Sequence, residues 1–158
     1  MKLTVQEILA QYTAGERDFS GAELDDLKFK QENLSGINLE SATLDGVLFR
    51  ETILKDACFT KANLSDANIR KANLENADLS GADLEGADLE GSNLSGACLE
   101  GANLKSASLR NVNLEGANLK NADLRGVALL GANLENVQLE GSNLKGALLK
   151  GTQLENHQ

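Results

Sequence analysis

The chain has 158 residues, 24 acidic and 15 basic side chains, and a formal charge of -9, which is one acidic domain's worth of sequence. That excess argues against non-specific nucleic-acid binding, which runs on phosphate neutralisation, and leaves a basic or DNA-binding partner open. Four Phe, one Tyr and no Trp exclude a core built on large rings.

The N-terminus reads Met1-Lys2-Leu3-Thr4-Val5-Gln6-Glu7, with no continuous apolar stretch after it, so no secretory signal is expected. No segment approaches the apolar length of a membrane span. Together these point to the cytoplasm. Thr4 and Glu7 have the spacing of a capping box, and Leu3 and Ile8 that of a hydrophobic staple. Ile8, Leu9 and Tyr12 share one apolar face, and Gly15 is a helix stop. A short helix from about Val5 to Ala14 is predicted within residues 1–16. Its role would be to cover an open end of the fold formed by the remaining chain.

From Phe19 to Leu154, every fifth residue is Leu, Phe or Ile, and all four Phe lie on that register. The residue two before each is mostly Ala, otherwise chiefly Val, Ser or Thr. Arg17, Leu27, Glu32 and Ile37 are the exceptions, all near the start. Asn or Asp dominates the position between, and Gly recurs two residues after the large apolar one. The repeat is therefore Ala-(Asn/Asp)-Leu-X-Gly.

A period of five fits neither a helix nor a continuous strand. It fits a short strand and a turn. Alternation sends the small and the large apolar side chains inward and the Asn or Asp outward. The Gly position supplies the positive φ of a type II turn. Proline is absent, as a fully hydrogen-bonded ladder requires. Such a chain bends at every corner and closes into stacked coils.

This pattern resembles the pentapeptide-repeat family over residues 17–156, leaving 157–158 as a tail. It is similar in style to the short stand-alone members abundant in cyanobacteria. The resemblance implies an all-β solenoid: a right-handed quadrilateral β-helix of about seven four-repeat coils, capped by the N-terminal helix. Seven coils at strand spacing make a rod about 34 Å long. The chain carries its own hint of a twenty-residue period. Lys30, Arg50, Arg70, Glu90, Arg110, Leu130 and Lys150 share one slot of that period and are mostly basic.

Little in this sequence points to catalysis. The one histidine is His157, next to the terminus. Cys58 and Cys98 fall two coils apart, about 9.6 Å, which is too far for a disulfide. The carboxylates are expected on solvated walls with nothing to shift their pKa values. A Leu- and Ala-filled solenoid offers no pocket. No enzyme, metal or cofactor is expected. The Asn column at Asn73, Asn93, Asn113 and Asn133 is read as a ladder of stacked amides.

Sorting outward residues by the twenty-residue period gives one net basic wall between acidic ones. Its stripe of Lys30, Arg50, Arg70, Arg110 and Lys150 is a candidate binding surface for an extended partner. Asp25, Asp45 and Asp66 form an acidic patch on the wall before it. Leu130 and Leu148 are candidate apolar contacts near the C-terminus, where an uncapped last coil suggests a homodimer. The reading needing fewest assumptions is a rigid protein-interaction or structural scaffold with a protein partner, contacting neither nucleic acid nor membrane. The alternative comes from the resemblance: some members bind DNA gyrase in place of DNA, and Asp25, Asp45 and Asp66 would carry such mimicry. The basic stripe, the lack of inserted loops and the lack of a C-terminal dimerisation helix depart from that alternative.

Overall fold

The computed structural model describes residues 2–156. The cap comes first in the chain. Helix α1, Val5–Thr13, starts at Thr4, whose hydroxyl accepts from the Glu7 N–H while the Glu7 carboxylate accepts from the Thr4 N–H, each at 3.1 Å. Ile8 is fully buried, and Leu3, Val5, Leu9 and Tyr12 pack against the repeat core. The Tyr12 hydroxyl donates to the Ser35 carbonyl at 2.7 Å. The irregular Arg17 is turned outward and finds a partner at the cap. Its guanidinium lies 3.6 Å from the Tyr12 ring centroid and donates to the Tyr12 carbonyl at 2.8 Å.

The repeat then bends at every fifth residue. Each corner from Gly21 to Gly151 has positive φ at its second turn position. The backbone of one side shows how coils are joined. The Leu44 N–H donates to the Asn63 carbonyl at 2.7 Å, and the Asn63 N–H donates back to the Ala42 carbonyl at 3.0 Å. At the corner, the Gly46 N–H donates to the Ser65 carbonyl at 2.9 Å, and the Val47 N–H closes the turn on Leu44 at 3.1 Å. Parallel bridges keep one register from Asp18↔Asn38 to Ala128↔Leu148, each joining position i to i+20. Four repeats and four corners therefore close one coil of a β-helix. Each wall pairs through a single bridged residue per coil, because two of every five residues are spent on the corner. The walls are stacks of parallel bridges.

The inward positions form one continuous core. The large apolar residues on the five-residue register from Phe19 to Leu134 are at most 4% exposed, and most of the small residues two before them share the interior. Phe29, Phe49 and Phe59 stack near the N-terminal end, with centroids 5.4 and 6.0 Å apart. The inward Thr52 hydroxyl is satisfied there by the Phe29 carbonyl.

Glycine at the corners has a second reason besides its φ. At Gly46 (φ 66°) an added Cβ would stand 2.5 Å from the Asp26 Oδ1 of the preceding coil. Yet 13 corners are not glycine and hold φ between 55° and 61°, among them Gln31, Glu51, Lys61 and Lys71. The coil-to-coil hydrogen bonds at each corner impose that conformation, against a cost of about 1–2 kcal/mol per residue.

Among the described residues, the N–H groups of Leu139, Leu144 and Leu149 meet no acceptor. The final turns cover part of the edge. The Gln153 side chain accepts from the Leu134 N–H at 2.8 Å, and the Glu155 carboxylate accepts from the Gly151 N–H at 3.3 Å.

Leu84 is fully buried at mid-rod. Leu84→Asp is expected to abolish the native fold. Losing a buried Leu alone costs about 2–5 kcal/mol, and the unpaired carboxylate adds to it. Loss of the cooperative thermal transition by circular dichroism checks this; a folded, soluble variant would reverse the assignment of inward positions.

Candidate functional site

The outward residue of each bridge does its first work inside its own turn. At 16 corners the Asn or Asp side-chain oxygen accepts from the N–H two residues on, at 3.0–3.2 Å in the pattern of Asn33 with Ser35, Asn93 with Ser95 and Asn133 with Glu135. This corrects the expected amide ladder at Asn73, Asn93, Asn113 and Asn133. Of these four, only Asn133 donates to another among the described residues, to the Asn113 Oδ1 at 3.2 Å, and Gln153 one coil on donates to the Asn133 Oδ1 at 3.2 Å. The turn wins because its N–H points outward and has no other partner.

Four walls result, each identified by its first inward residue. The third wall, that of Phe29, carries the basic stripe. Stacking through Lys28↔Leu48 and onward to Ala128↔Leu148 places Lys30, Arg50, Arg70, Glu90, Arg110, Leu130 and Lys150 in one column. The stripe is not uniformly free. Arg70 Nη1 lies 3.2 Å from both Asp88 Oδ2 and Glu90 Oε2, so the middle of the wall neutralises itself. Arg50 Nε is 3.6 Å from Glu51. Lys30, Arg110 and Lys150 enter no salt bridge among the described residues.

On the second wall, Asp25 and Asp45 come together: the Asp45 N–H donates to Asp25 Oδ1 at 2.9 Å. Asp66 occupies a corner of the next coil, with φ 55° and its carboxylate lying over Gly86. Leu130 and Leu148 line one shallow depression at the C-terminal end of the third wall, with Ala147, Leu149, Lys150 and Glu155. Leu148 is 49% exposed, whereas Leu130 is half-buried. Ile53 on the fourth wall is also exposed.

Surface carboxylates do not all keep ordinary acidities, contrary to expectation. A hydrogen bond from Ser20 lowers Asp18, one from Gln31 lowers Glu51, and one from Arg125 lowers Asp123. Arg125 grips Asp123 with Nε at 2.9 Å and Nη2 at 2.6 Å. These are local pairs across one corner or one coil.

Cys58 and Cys98 are free and half-buried in one column, with Asp78 bridged between them. Cys58 Sγ lies 3.3 Å from Thr60 Oγ1, and Cys98 Sγ 3.1 Å from Ser80 Oγ. No group of three or more His, Cys, Asp or Glu side chains is gathered to hold a metal among the described residues. His157 lies outside them. Among the described residues, no helix is long and apolar enough to cross a membrane.

Eight copies of the pentapeptide-repeat model match this chain, spanning residues 18–56 through 107–146. The chain belongs to the pentapeptide-repeat family. This pentapeptide-repeat protein is 37% identical to one from the Arabidopsis thaliana thylakoid lumen, covering 62% of this chain and 68% of that one with a TM-score of 0.61. It is 33% identical to a pentapeptide-repeat protein of Nostoc PCC 7120, over 95% of this chain and 98% of that one, with a TM-score of 0.53. A third solved structure, QnrB1, a plasmid-mediated fluoroquinolone resistance protein, shares the fold at 24% identity, 89% and 79% coverage and a TM-score of 0.56. No curated protein matches the chain.

Two outcomes are expected. Asn93→Ala should cost about 1 kcal/mol by exposing the Ser95 N–H without its cap, read as a drop in thermal midpoint. Asp123 should titrate below the usual Asp range, since Arg125 favours its charged form. The stability this pair supplies is then complete above the ordinary Asp pKa and disappears as pH falls through the lowered one. Carboxyl NMR titration of Arg125→Gln should move Asp123 back up.

Proposed function

We propose that this pentapeptide-repeat protein is a non-catalytic scaffold, a right-handed four-sided rod of about seven coils that presents flat walls to a protein partner. One observation carries the proposal. The third wall holds Lys30, Arg110 and Lys150 outside any salt bridge among the described residues, on a chain whose formal charge is -9. Cations left outside any salt bridge on an acidic chain, beside exposed Leu148, suit a contact surface. The two free cysteines suit a reducing compartment such as the cytoplasm.

The gyrase alternative draws no support from QnrB1, since a likeness at 24% identity concerns the fold. The open N–H groups of Leu139, Leu144 and Leu149 favour a second contact, a homodimer through the C-terminal coils.

Affinity capture from the native lysate tests the scaffold reading. Wild type is expected to retain a protein that is lost when Arg50, Arg70 and Arg110 are changed to Glu. Identical captures from both baits would remove the third wall as the contact surface. For the dimer, light scattering should return twice the chain mass, and a monomeric mass removes it.

A further inference from the structure

The 16 capped corners reveal what the third wall lacks. Its outward bridge residues are Lys28, Leu48, Asn68, Asp88, Ser108, Ala128 and Leu148, and only two of these are Asn or Asp. The turn N–H groups of Lys30, Arg50, Arg110, Leu130 and Lys150 consequently meet no acceptor among the described residues. At other corners the same group faces the outward side, since an outward oxygen reaches it.

The open amides coincide with the unpaired cations. Lys105, Lys120, Arg125 and Lys145 occupy the same turn position on other walls, and each has its N–H capped by Asn or Asp. Lys55 follows Ile53 and lacks that cap, but its ammonium is 3.8 Å from Glu75. Arg70 has both its N–H and its guanidinium satisfied. Arg110 and Lys150 have neither among the described residues. Each pairs an outward backbone donor with a cationic side chain at one residue, which is what a carboxylate requires.

The molecule contains a precedent for filling such a slot from outside its turn. Thr43 does not cap the Asp45 N–H, and the Asp25 carboxylate of the preceding coil accepts from it at 2.9 Å. Between Arg110 and Lys150 lie Leu130, Ala128 and Leu148, an apolar step without a competing carboxylate. Glu155 borders the depression but accepts from the Gly151 N–H.

The geometry points to an acidic protein segment as the occupant of the C-terminal half of the third wall, its carboxylates accepting from the Arg110 and Lys150 amides and side chains. Two coils separate these residues by about 9.6 Å. Carboxylates three positions apart on a polyproline II segment stand about 9.3 Å apart on one side, with an apolar residue free to meet Leu130 and Leu148. This rests on the third wall being a contact surface and adds the chemistry of what it contacts.

The probe is a fluorescein-labelled peptide repeating Glu-Pro-Leu, followed by fluorescence anisotropy against the full chain. Binding is expected, weakening with salt, and absent for the same peptide with Lys in place of Glu. The triple variant Ser108→Asn, Ala128→Asn, Leu148→Asn restores the family's own caps and keeps the fold. It should weaken binding at least about tenfold, the equivalent of one charge-assisted hydrogen bond. Arg110→Gln with Lys150→Gln should do the same. Unchanged binding by both variants, or tighter binding of a single-stranded oligonucleotide than of the acidic peptide, overturns the inference. If the acidic peptide fails to bind while the Arg50, Arg70 and Arg110 variant still loses its captured protein, the wall remains a contact surface and the acidic class is overturned.

Discussion

The N–H of an inward leucine donates to a carbonyl of the next coil, as Leu44 does to Asn63, and the remainder of the rod is arranged around that bond. It sets the coil length, the i to i+20 step of every bridge from Asp18 onward, and leaves four corners per coil. It also decides where side chains go. A slip of one position would turn every Leu outward and every Asn inward, so the buried row and the backbone register reinforce each other. This mutual dependence lets Lys, Glu and Gln occupy left-handed corners that isolated turns would reserve for glycine.

The same register creates repeated chemistry on the outside. A turn in every repeat presents one outward N–H, and an Asn or Asp beside it serves most of them. The consensus Asn or Asp is thus explained by a local hydrogen bond and not by stacking between coils. Departures from that rule change what a wall presents to solvent. The third wall departs most, with Lys, Leu, Ser, Ala and Leu in the capping column. Its middle is closed by Arg70 with Asp88 and Glu90, and its C-terminal half remains open.

The two ends differ in how they satisfy the exposed backbone. The N-terminal end is covered by α1, with Ile8 buried and Tyr12 tied to Ser35. The C-terminal end is finished by turns and the Gln153 side chain, which serves only one wall.

Much of this was legible from sequence, since a period of five repeated without interruption allows few structures. The inward row, the positive-φ corners and the capping box of Thr4 and Glu7 all follow from local rules that act within a few positions. The coil length left only a faint trace in the basic column. The pairing of Arg70 with Asp88 and Glu90, the burial of Leu130 beside exposed Leu148, and the carboxylate of Asp25 serving Asp45 were not legible. Which residues face inward and where the chain turns can be read from the five-residue period alone. Only the tertiary structure decided which charges are spent on neighbours and which turn amides stay open, because those contacts join positions about one coil apart that become adjacent only when one coil lies on the next.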